Sequence, residues 1–227
     1  MSHMRGLGLV LILTCSAAVE GWSGEPGAPG PLRHVAQDEL ETILPGGTEI
    51  LIAPSAIEHF LEEVDGRPPD WPTVYGGGHH DPGFDDRLFA LNRQRDGDRI
   101  GRAALSRRIA FVWTGSLSRY DAAVGGFPVA LGPNLIETSW GMVRFKPEEA
   151  PGNLSVITDA SDQVRFERLL RQGKPVDIDV VMTGTLIPDE SIVYDFSHDA
   201  EGVGLIMPFV RVEEVAFLTS GRDSNYR

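Results

Sequence analysis

VDIDVVMTGTL, residues 176–186, is the most regular alternation of apolar and polar side chains in this chain of 227 residues. The apolar positions are Val176, Ile178, Val180, Met182 and Leu186. The intervening polar positions are Asp177, Asp179, Thr183 and Thr185. Because successive side chains of a β-strand point to opposite faces, this pattern predicts a strand with one buried face.

A second alternating stretch, Ile109–Leu117, carries aromatic bulk on one face through Phe111 and Trp113. Its segment VWTGSL, which begins at Val112, matches VMTGTL, which begins at Val181, at an offset of 69 positions. The match predicts either two related units of one helix and three strands, or a chance likeness between strands rich in Val, Thr and Gly. The shared glycine is expected to mark a bend or a bulge.

Further strands are predicted at Phe127–Leu131, Met142–Phe145, Ile192–Phe196 and Leu205–Leu218. The apolar phase of the last strand slips across Glu213-Glu214, which predicts a β-bulge. A helix over Ser161–Arg171 separates two groups of strands. The region 109–221 is therefore predicted to be β-rich, in an α+β fold with one or two curved antiparallel sheets and flanking helices.

The preceding region, residues 34–108, is predicted to be helical with a long loop. Apolar residues of one helix face are Ile57, Phe60, Leu61 and Val64. This spacing predicts a helix over 56–64, with Ser55 and Glu58 as a capping box and Asp65-Gly66 as its end. A short helix over 35–44 and a brief strand at Ile50–Ile52 are expected before it. Residues 66–83 carry many Pro and Gly residues and predict a loop, after which helical spacing returns from Phe84.

The pattern of strands along the chain, with a glycine within the strand and a long last strand, resembles small closed or half-open β-barrels of the oligonucleotide/oligosaccharide-binding type. The resemblance implies a sheet that curves towards closure. It is a likeness of fold only and implies nothing about function.

The first 18 residues have the layout of a secretory signal peptide. Arg5 precedes an apolar run from Leu7 to Leu13, and small residues follow at Ser16–Ala18, which predicts cleavage after Ala18. The alternative is lipidation of Cys15, because Ile12–Cys15 resembles the acceptor box of bacterial lipoproteins. Thr14 departs from that pattern, in which Gly, Ala or Ser usually precedes the cysteine.

The apolar run of the leader is shorter than the roughly 20 residues that a transmembrane helix needs, so no transmembrane segment is predicted. Residues 19–33 are rich in Gly and Pro and predict a flexible linker, and residues 222–227 predict a short tail. The sequence therefore predicts an exported protein of the periplasm or the extracellular space, or one anchored to the envelope by lipid.

Composition limits the partners and the source of stability. The chain has 20 Lys and Arg against 33 Asp and Glu, a net charge of −13. Because an acidic surface repels phosphate groups, nucleic acid is not an expected partner. Cys15 is the only cysteine, so no intramolecular disulfide can form and packing must stabilise the fold.

The densest polar cluster lies in the Pro/Gly-rich loop and the turn after it. Its candidate metal ligands are His79, His80, Asp81, Asp85 and Asp86. Imidazole and carboxylate together suit zinc, iron or manganese, and carboxylates alone suit calcium. Adjacent histidines usually diverge, however, and acids before a helix favour its N-terminal dipole, so a structural role is the competing interpretation.

Two other polar groups contain residue types used in catalysis. Asp177 and Asp179 share a strand face and suit either a carboxylate pair or a solvated surface. Ser191, Asp195 and His198 have the residue types of a triad, but no Gly-x-Ser-x-Gly motif surrounds Ser191. No catalytic residue is predicted from either group.

The expected function is a non-enzymatic binding or accessory module of the bacterial cell envelope, with an unidentified protein or small molecule as partner and no cofactor. A secreted metal-dependent hydrolase that uses the loop from His79 to Asp86 is one alternative, with a divalent metal as its cofactor. A structural subunit of an envelope assembly is the other, and an exposed apolar patch would favour it.

Overall fold

The computed structural model describes residues 29–35, 37–77, 81–188, 190–196 and 202–219. Its α-helices are α1 (Pro54–Asp65), α2 (Trp71–Tyr75), α3 (Phe84–Arg99) and α4 (Ala160–Arg171), and two 3-10 helices cover Gln37–Thr42 and Ala103–Ser106. Its strands are β1 (Gly30–His34), β2 (Glu49–Ile50), β3 (Arg108–Leu117), β4 (Phe127–Gly132), β5 (Ile136–Thr138), β6 (Gly141–Val143), β7 (Lys146–Pro147), β8 (Ser155–Ile157), β9 (Asp177–Leu186), β10 (Ile192–Phe196) and β11 (Gly204–Thr219). These elements confirm the predicted α+β class with a curved sheet.

Four antiparallel strands, in the order β4-β3-β9-β11, form the centre of the sheet. The two alternating stretches found in the sequence are the neighbouring strands β3 and β9, which pair from Arg108↔Thr185 to Ser116↔Asp177. The apolar positions of both strands are buried as predicted, with Phe111, Val180 and Met182 all inaccessible to solvent. The periodicity of two in the sequence therefore identified the centre of the fold.

The two matching segments meet about the middle of this ladder, where Val112 is opposite Val181. Since β3 and β9 also begin and end at an offset of 69 residues, the two strands are related by a local two-fold rotation. Their outer partners, β4 and β11, have 6 and 16 residues and break this symmetry. Duplication of a helix and three strands remains a prediction.

Strand β1 closes the sheet into a ring. It pairs in parallel with β8 on one side, through Gly30↔Val156, and with β11 on the other, through Leu32↔Phe217. The ring β1-β8-β4-β3-β9-β11 therefore returns to β1, as in a small closed barrel. Further short parallel pairs, of β2 with β3 and of β6 and β7 with β11, extend the sheet around its antiparallel centre.

The linker predicted over residues 19–33 was wrong at its C-terminal end, because residues 30–33 belong to β1. Gly30 and Pro31 suggested a breaker region when read locally. Pairing with two distant strands overrides this local preference. Pro31 lies near the start of β1, before its register pairs with β11 begin at Leu32, and the start of a strand accepts proline.

One continuous apolar cluster fills the ring. Its members come from all six strands and include Leu32, Phe111, Phe127, Val156, Val180 and Phe217. Phe166 of α4 packs edge to face on Phe127 at a ring distance of 5.9 Å, so α4 lies against one part of this core. Ile57 and Phe60 of α1 join the same cluster, and the core therefore crosses the boundary predicted between residues 108 and 109.

A smaller cluster covers the opposite face of β3, β9 and β11. It consists of Leu40, Leu44, Ala110, Val181, Ala216 and Leu218, and the 3-10 helix Gln37–Thr42 supplies its cover. The helix predicted over 35–44 is thus shorter and tighter than an α-helix, and the strand predicted at Ile50–Ile52 is reduced to Glu49–Ile50.

The predicted β-bulge is confirmed between Val212 and Glu214 of β11, where the register against β9 shifts. Gly184 of β9 lies directly opposite Val212. The carbonyl group of Arg211 approaches Gly184 so closely that a Cβ atom there would overlap it. The glycine of the second repeat therefore marks the bulge, as expected.

Two local predictions for the helical region were wrong. Helix α1 begins at Pro54 after Ala53 and has no side-chain cap, whereas the predicted capping residue Glu58 accepts a hydrogen bond from the Ser139 amide at 2.6 Å. The loop predicted over 66–83 contains α2, whose first turn is capped by Asp70. The α2 residue Trp71 donates through Nε1 to the Trp140 carbonyl at 2.6 Å, so a tertiary contact holds this short helix.

No helix within the described residues is long and apolar enough to cross a membrane. Cys15, the leader, most of the linker and the tail over residues 222–227 lie outside the described residues.

Candidate functional site

Asp81 of the predicted metal loop is already engaged by protein donors. Its carboxylate accepts hydrogen bonds from the Gly83 amide at 2.9 Å, the Gly77 amide at 3.2 Å and Arg87 Nη2 at 2.7 Å. The Arg87 guanidinium and the two amides lower the pKa of Asp81 to about 2. The carboxylate therefore stays ionised above this pH, and the stabilisation from these bonds is lost only as the pH falls from about 4 towards 2.

Arg87 links this turn to α2, because it also donates to the carbonyl groups of Val74 and Tyr75. Asp85 and Asp86 lie in the first turn of α3, where carboxylates favour the helix dipole, and both are exposed. His79 and His80 lie outside the described residues, so the metal site predicted on this loop stays a prediction.

The other polar groups noted in the sequence are local surface or backbone features. Asp177 accepts from Ser116 Oγ at 2.6 Å across the β3–β9 ladder, and Asp179 lies opposite Thr114 on the same face. Ser191 is buried, Asp195 accepts from the amide of the adjacent Phe196, and His198 lies outside the described residues.

A buried ionic network that the sequence reasoning missed joins α1, α3 and β10. Arg99 donates through Nε to Asp65 Oδ1 at 2.6 Å and through Nη2 to Oδ2 at 2.9 Å, a bidentate pair. Tyr194 donates its hydroxyl to the same carboxylate. The side chains of Asp65 and Arg99 are 0% and 2% exposed, so this pair lies wholly in the interior.

The network is satisfied by further contacts. Arg99 Nη1 donates to Asp96 at 2.9 Å and to the Ile192 carbonyl at 2.8 Å. Arg95 Nη1 donates to the Asp65 carbonyl at 2.6 Å, and Asn92 exchanges two hydrogen bonds with the Tyr194 backbone. These bonds fasten α3 to the adjacent elements.

Burial and the charge of Asp65 raise the pKa of Tyr194 well above its ordinary value. For Arg99, burial acts to lower the pKa, but the hydrogen bonds and charge of Asp65 outweigh it and raise the value. Tyr194 is therefore neutral and Arg99 charged at any physiological pH. The arrangement suits a structural clamp rather than proton transfer.

A second cluster of ionisable side chains lies where β1 meets α4. His34, at the end of β1, places Nε2 2.7 Å from Asp162 Oδ2, and Asp159 caps α4 by accepting from the Asp162 amide at 2.8 Å. One ligand atom from each of these three residues lies within 4.8 Å of the others. Arg165 holds Asp162 Oδ1 at 2.8 Å. The sequence reasoning missed this group because His34 and Asp162 are far apart in the chain.

An open cleft of about 410 Å³ lies beside the C-terminal half of α4. Its lining consists of Arg119, Tyr120, Glu167, Leu170 and Arg171. Arg171 Nη2 lies 3.4 Å from Glu167 Oε2, whereas no ion pair within the described residues involves Arg119. The cleft thus contains the Arg171 guanidinium, which is paired with Glu167, and the Arg119 guanidinium, which has no ion pair among the described residues. An aromatic ring and an apolar side chain complete its lining.

A second groove, of about 460 Å³, lies on the outer face of the sheet and is lined mainly by residues with apolar side chains. Its lining consists of Ile52, Val112, Pro133, Asn134, Leu135 and Ile136. Its one polar lining side chain is Asn134, whose Oδ1 already accepts a hydrogen bond from Thr114 Oγ1 at 2.8 Å. The cleft beside α4 is therefore the chemically more specific of these two sites.

Comparison of the chain with protein families, with curated proteins and with solved structures found no match.

Proposed function

We propose that this chain is an exported, non-enzymatic binding or accessory module of the bacterial cell envelope, and that the cleft beside α4 binds a small organic anion with an apolar body. The observation that carries the binding site is the meeting of Arg119 with Tyr120 and Leu170 in one cleft. The leader sequence supports export, as an expectation from the sequence.

Charge supports an anionic ligand at this position. The chain carries a net charge of −13, so a cleft with two guanidinium groups is a local exception to an acidic surface. Glu167 is occupied by Gln163 Nε2 at 3.0 Å as well as by Arg171, which leaves Arg119 as the main anion-binding group. A guanidinium binds a carboxylate or phosphate through two parallel N–H donors.

The apolar part of the cleft favours a ligand that also has an apolar body. Tyr120 packs edge to face on Phe127 at 5.3 Å, which fixes its ring against the barrel core. Leu170 is half-buried in the same lining. A ligand with a ring or short aliphatic body next to its anionic group satisfies both contacts.

Binding of benzoate tests this site, with the neutral benzamide as the matched probe. We expect benzoate to shift the amide NMR signals of Tyr120 and Leu170 in a saturable manner, and benzamide to bind more weakly. Arg119→Gln is expected to weaken benzoate binding about fivefold, the equivalent of about 1 kcal/mol for an exposed charged contact.

Arg93→Gln serves as the control, because Arg93 is an exposed arginine on α3 that lies against Phe89. It should leave benzoate binding unchanged. Equal binding of benzoate by the wild type and Arg119→Gln, or shifts confined to residues outside the cleft, would contradict the anion site.

The mass of the mature protein tests export. Intact mass spectrometry of membrane and soluble fractions from the native source should give a free N-terminus at Val19, as cleavage after Ala18 predicts. A lipid mass on Cys15 would instead show that the protein is anchored to the membrane by lipid. An uncleaved chain in the soluble fraction would refute export.

A further inference from the structure

We propose that His34, Asp159 and Asp162 bind a divalent transition-metal ion, Zn²⁺ in the first place, and that the ion clasps strand β1 to helix α4. The proposal concerns the end of α4 opposite the cleft and does not rest on the proposed function. It is carried by the meeting of an imidazole from one element with two carboxylates from another.

The spacing of the ligand atoms suits a tetrahedral ion. Zinc binds imidazole nitrogen and carboxylate oxygen at about 2.0 to 2.2 Å, which places ligand atoms roughly 3.3 to 3.5 Å apart. The His34 and Asp162 atoms are 2.7 Å apart, and the whole set lies within 4.8 Å. To take the ion, the His34 and Asp162 atoms must separate by about 0.6 to 0.8 Å and the widest pair must close by up to about 1.5 Å, with a fourth position left for water.

The ligand types and their surroundings also suit zinc. Neutral imidazole with two carboxylates is a nitrogen and oxygen donor set, and the two negative charges balance the ion. The Asp162 side chain is only 9% exposed, and Arg165 fixes its other oxygen, Oδ1, at 2.8 Å. Hydrogen bonds of this kind to the second oxygen of a ligating carboxylate orient it towards the metal.

Two positively charged features near the site lower the expected affinity for the ion. The N-terminus of α4 and the Arg165 guanidinium both place positive charge near the site. They weaken binding relative to a closed structural zinc site, so we expect a dissociation constant on the order of micromolar.

The proposed ion would hold the strand that closes the ring. Strand β1 has two register pairs with β8 and three with β11, so it is held by short ladders. His34 is the last residue of β1, and the chain before Gly30 leads to the predicted leader and linker. A bound ion therefore adds a link between the strand that closes the ring and helix α4.

Calorimetry with ZnCl₂ on metal-stripped full-length protein tests the site. We expect one ion per chain, and a loss of affinity of tenfold or more in both His34→Ala and Asp159→Asn. Asp159→Asn is the sharper variant, since asparagine caps a helix as well as aspartate does and the fold is retained. His59→Ala is the matched control, because His59 faces Glu63 at 3.9 Å on the surface of α1 and should leave binding unchanged.

Hydrogen exchange gives a second readout. At an ion concentration 100 times the dissociation constant, the equilibrium constant for local opening of β1 should fall about 100-fold. The β1 amides should gain that protection in the wild type but not in Asp159→Asn. No zinc binding, unchanged affinity in Asp159→Asn, or loss of binding only in His79→Ala/His80→Ala would overturn the proposal, the last in favour of the loop.

Discussion

Asp65→Asn is expected to lower the free energy of unfolding by about 3 to 5 kcal/mol. The substitution leaves the Arg99 guanidinium, which is 2% exposed, without its bidentate partner in the protein interior. It also removes the charged acceptor of the Tyr194 hydroxyl. Because an uncompensated buried charge costs far more than an intact pair contributes, this change should be among the most damaging in the chain.

Urea unfolding at neutral pH, monitored by circular dichroism, measures this change in the free energy of unfolding. Glu63→Gln is the matched control, because Glu63 lies on the same helix but pairs with Arg107 at the surface, and it should change stability little. The double variant Asp65→Leu/Arg99→Met should recover much of the loss, since it removes both charges and keeps apolar volume. A similar small effect of Asp65→Asn and Glu63→Gln would show that the buried pair does not hold α1 to α3.

Gly184→Ala is expected to destabilise the protein by about 3 kcal/mol, the upper part of the range for overpacking. The added methyl group would overlap the carbonyl oxygen of Arg211 in the facing strand β11. A backbone atom in the centre of a sheet cannot move aside as a flexible side chain can. The ladder would have to open at the bulge between Val212 and Glu214.

Gly132→Ala provides the control for this second prediction. Gly132 lies in β4, and a Cβ atom there would be 3.8 Å from the Thr114 carbonyl oxygen, an ordinary contact. Its effect on urea unfolding should be small, or slightly stabilising because alanine restricts the unfolded chain. Equal midpoints for the two variants would mean that Gly184 is not required by the close approach of β11.

The strands of the central sheet were predictable because their signal is local. Alternation in β3 and β9 follows from the face that lines the main core, and the slip of phase at Glu213-Glu214 follows from the extra residue of the bulge. Helix α2 was missed because Pro72 and its glycine-rich surroundings suggest a loop. Its position depends on Trp71, which packs on Phe196 with ring centroids 5.2 Å apart.

The candidate sites were less predictable than the fold. Asp81, Asp85 and Asp86 were visible as a cluster because they are neighbours in the chain, yet Asp81 is held by Arg87 and two backbone amides. The buried pair of Asp65 and Arg99 looked like two surface charges, since an ionised residue at a helix end is usually exposed. The order of residues along the chain does not indicate which charged side chains pair in the folded protein.

By itself, the sequence determined the α+β class, the alternating strands and the bulge, because each depends on side chains within a few positions of one another. Only the tertiary structure decided that β1 closes the ring, that Asp65 meets Arg99 and that His34 meets Asp162. These contacts join residues far apart in the chain. Their geometry is set by strand pairing and core packing, which local periodicity does not encode.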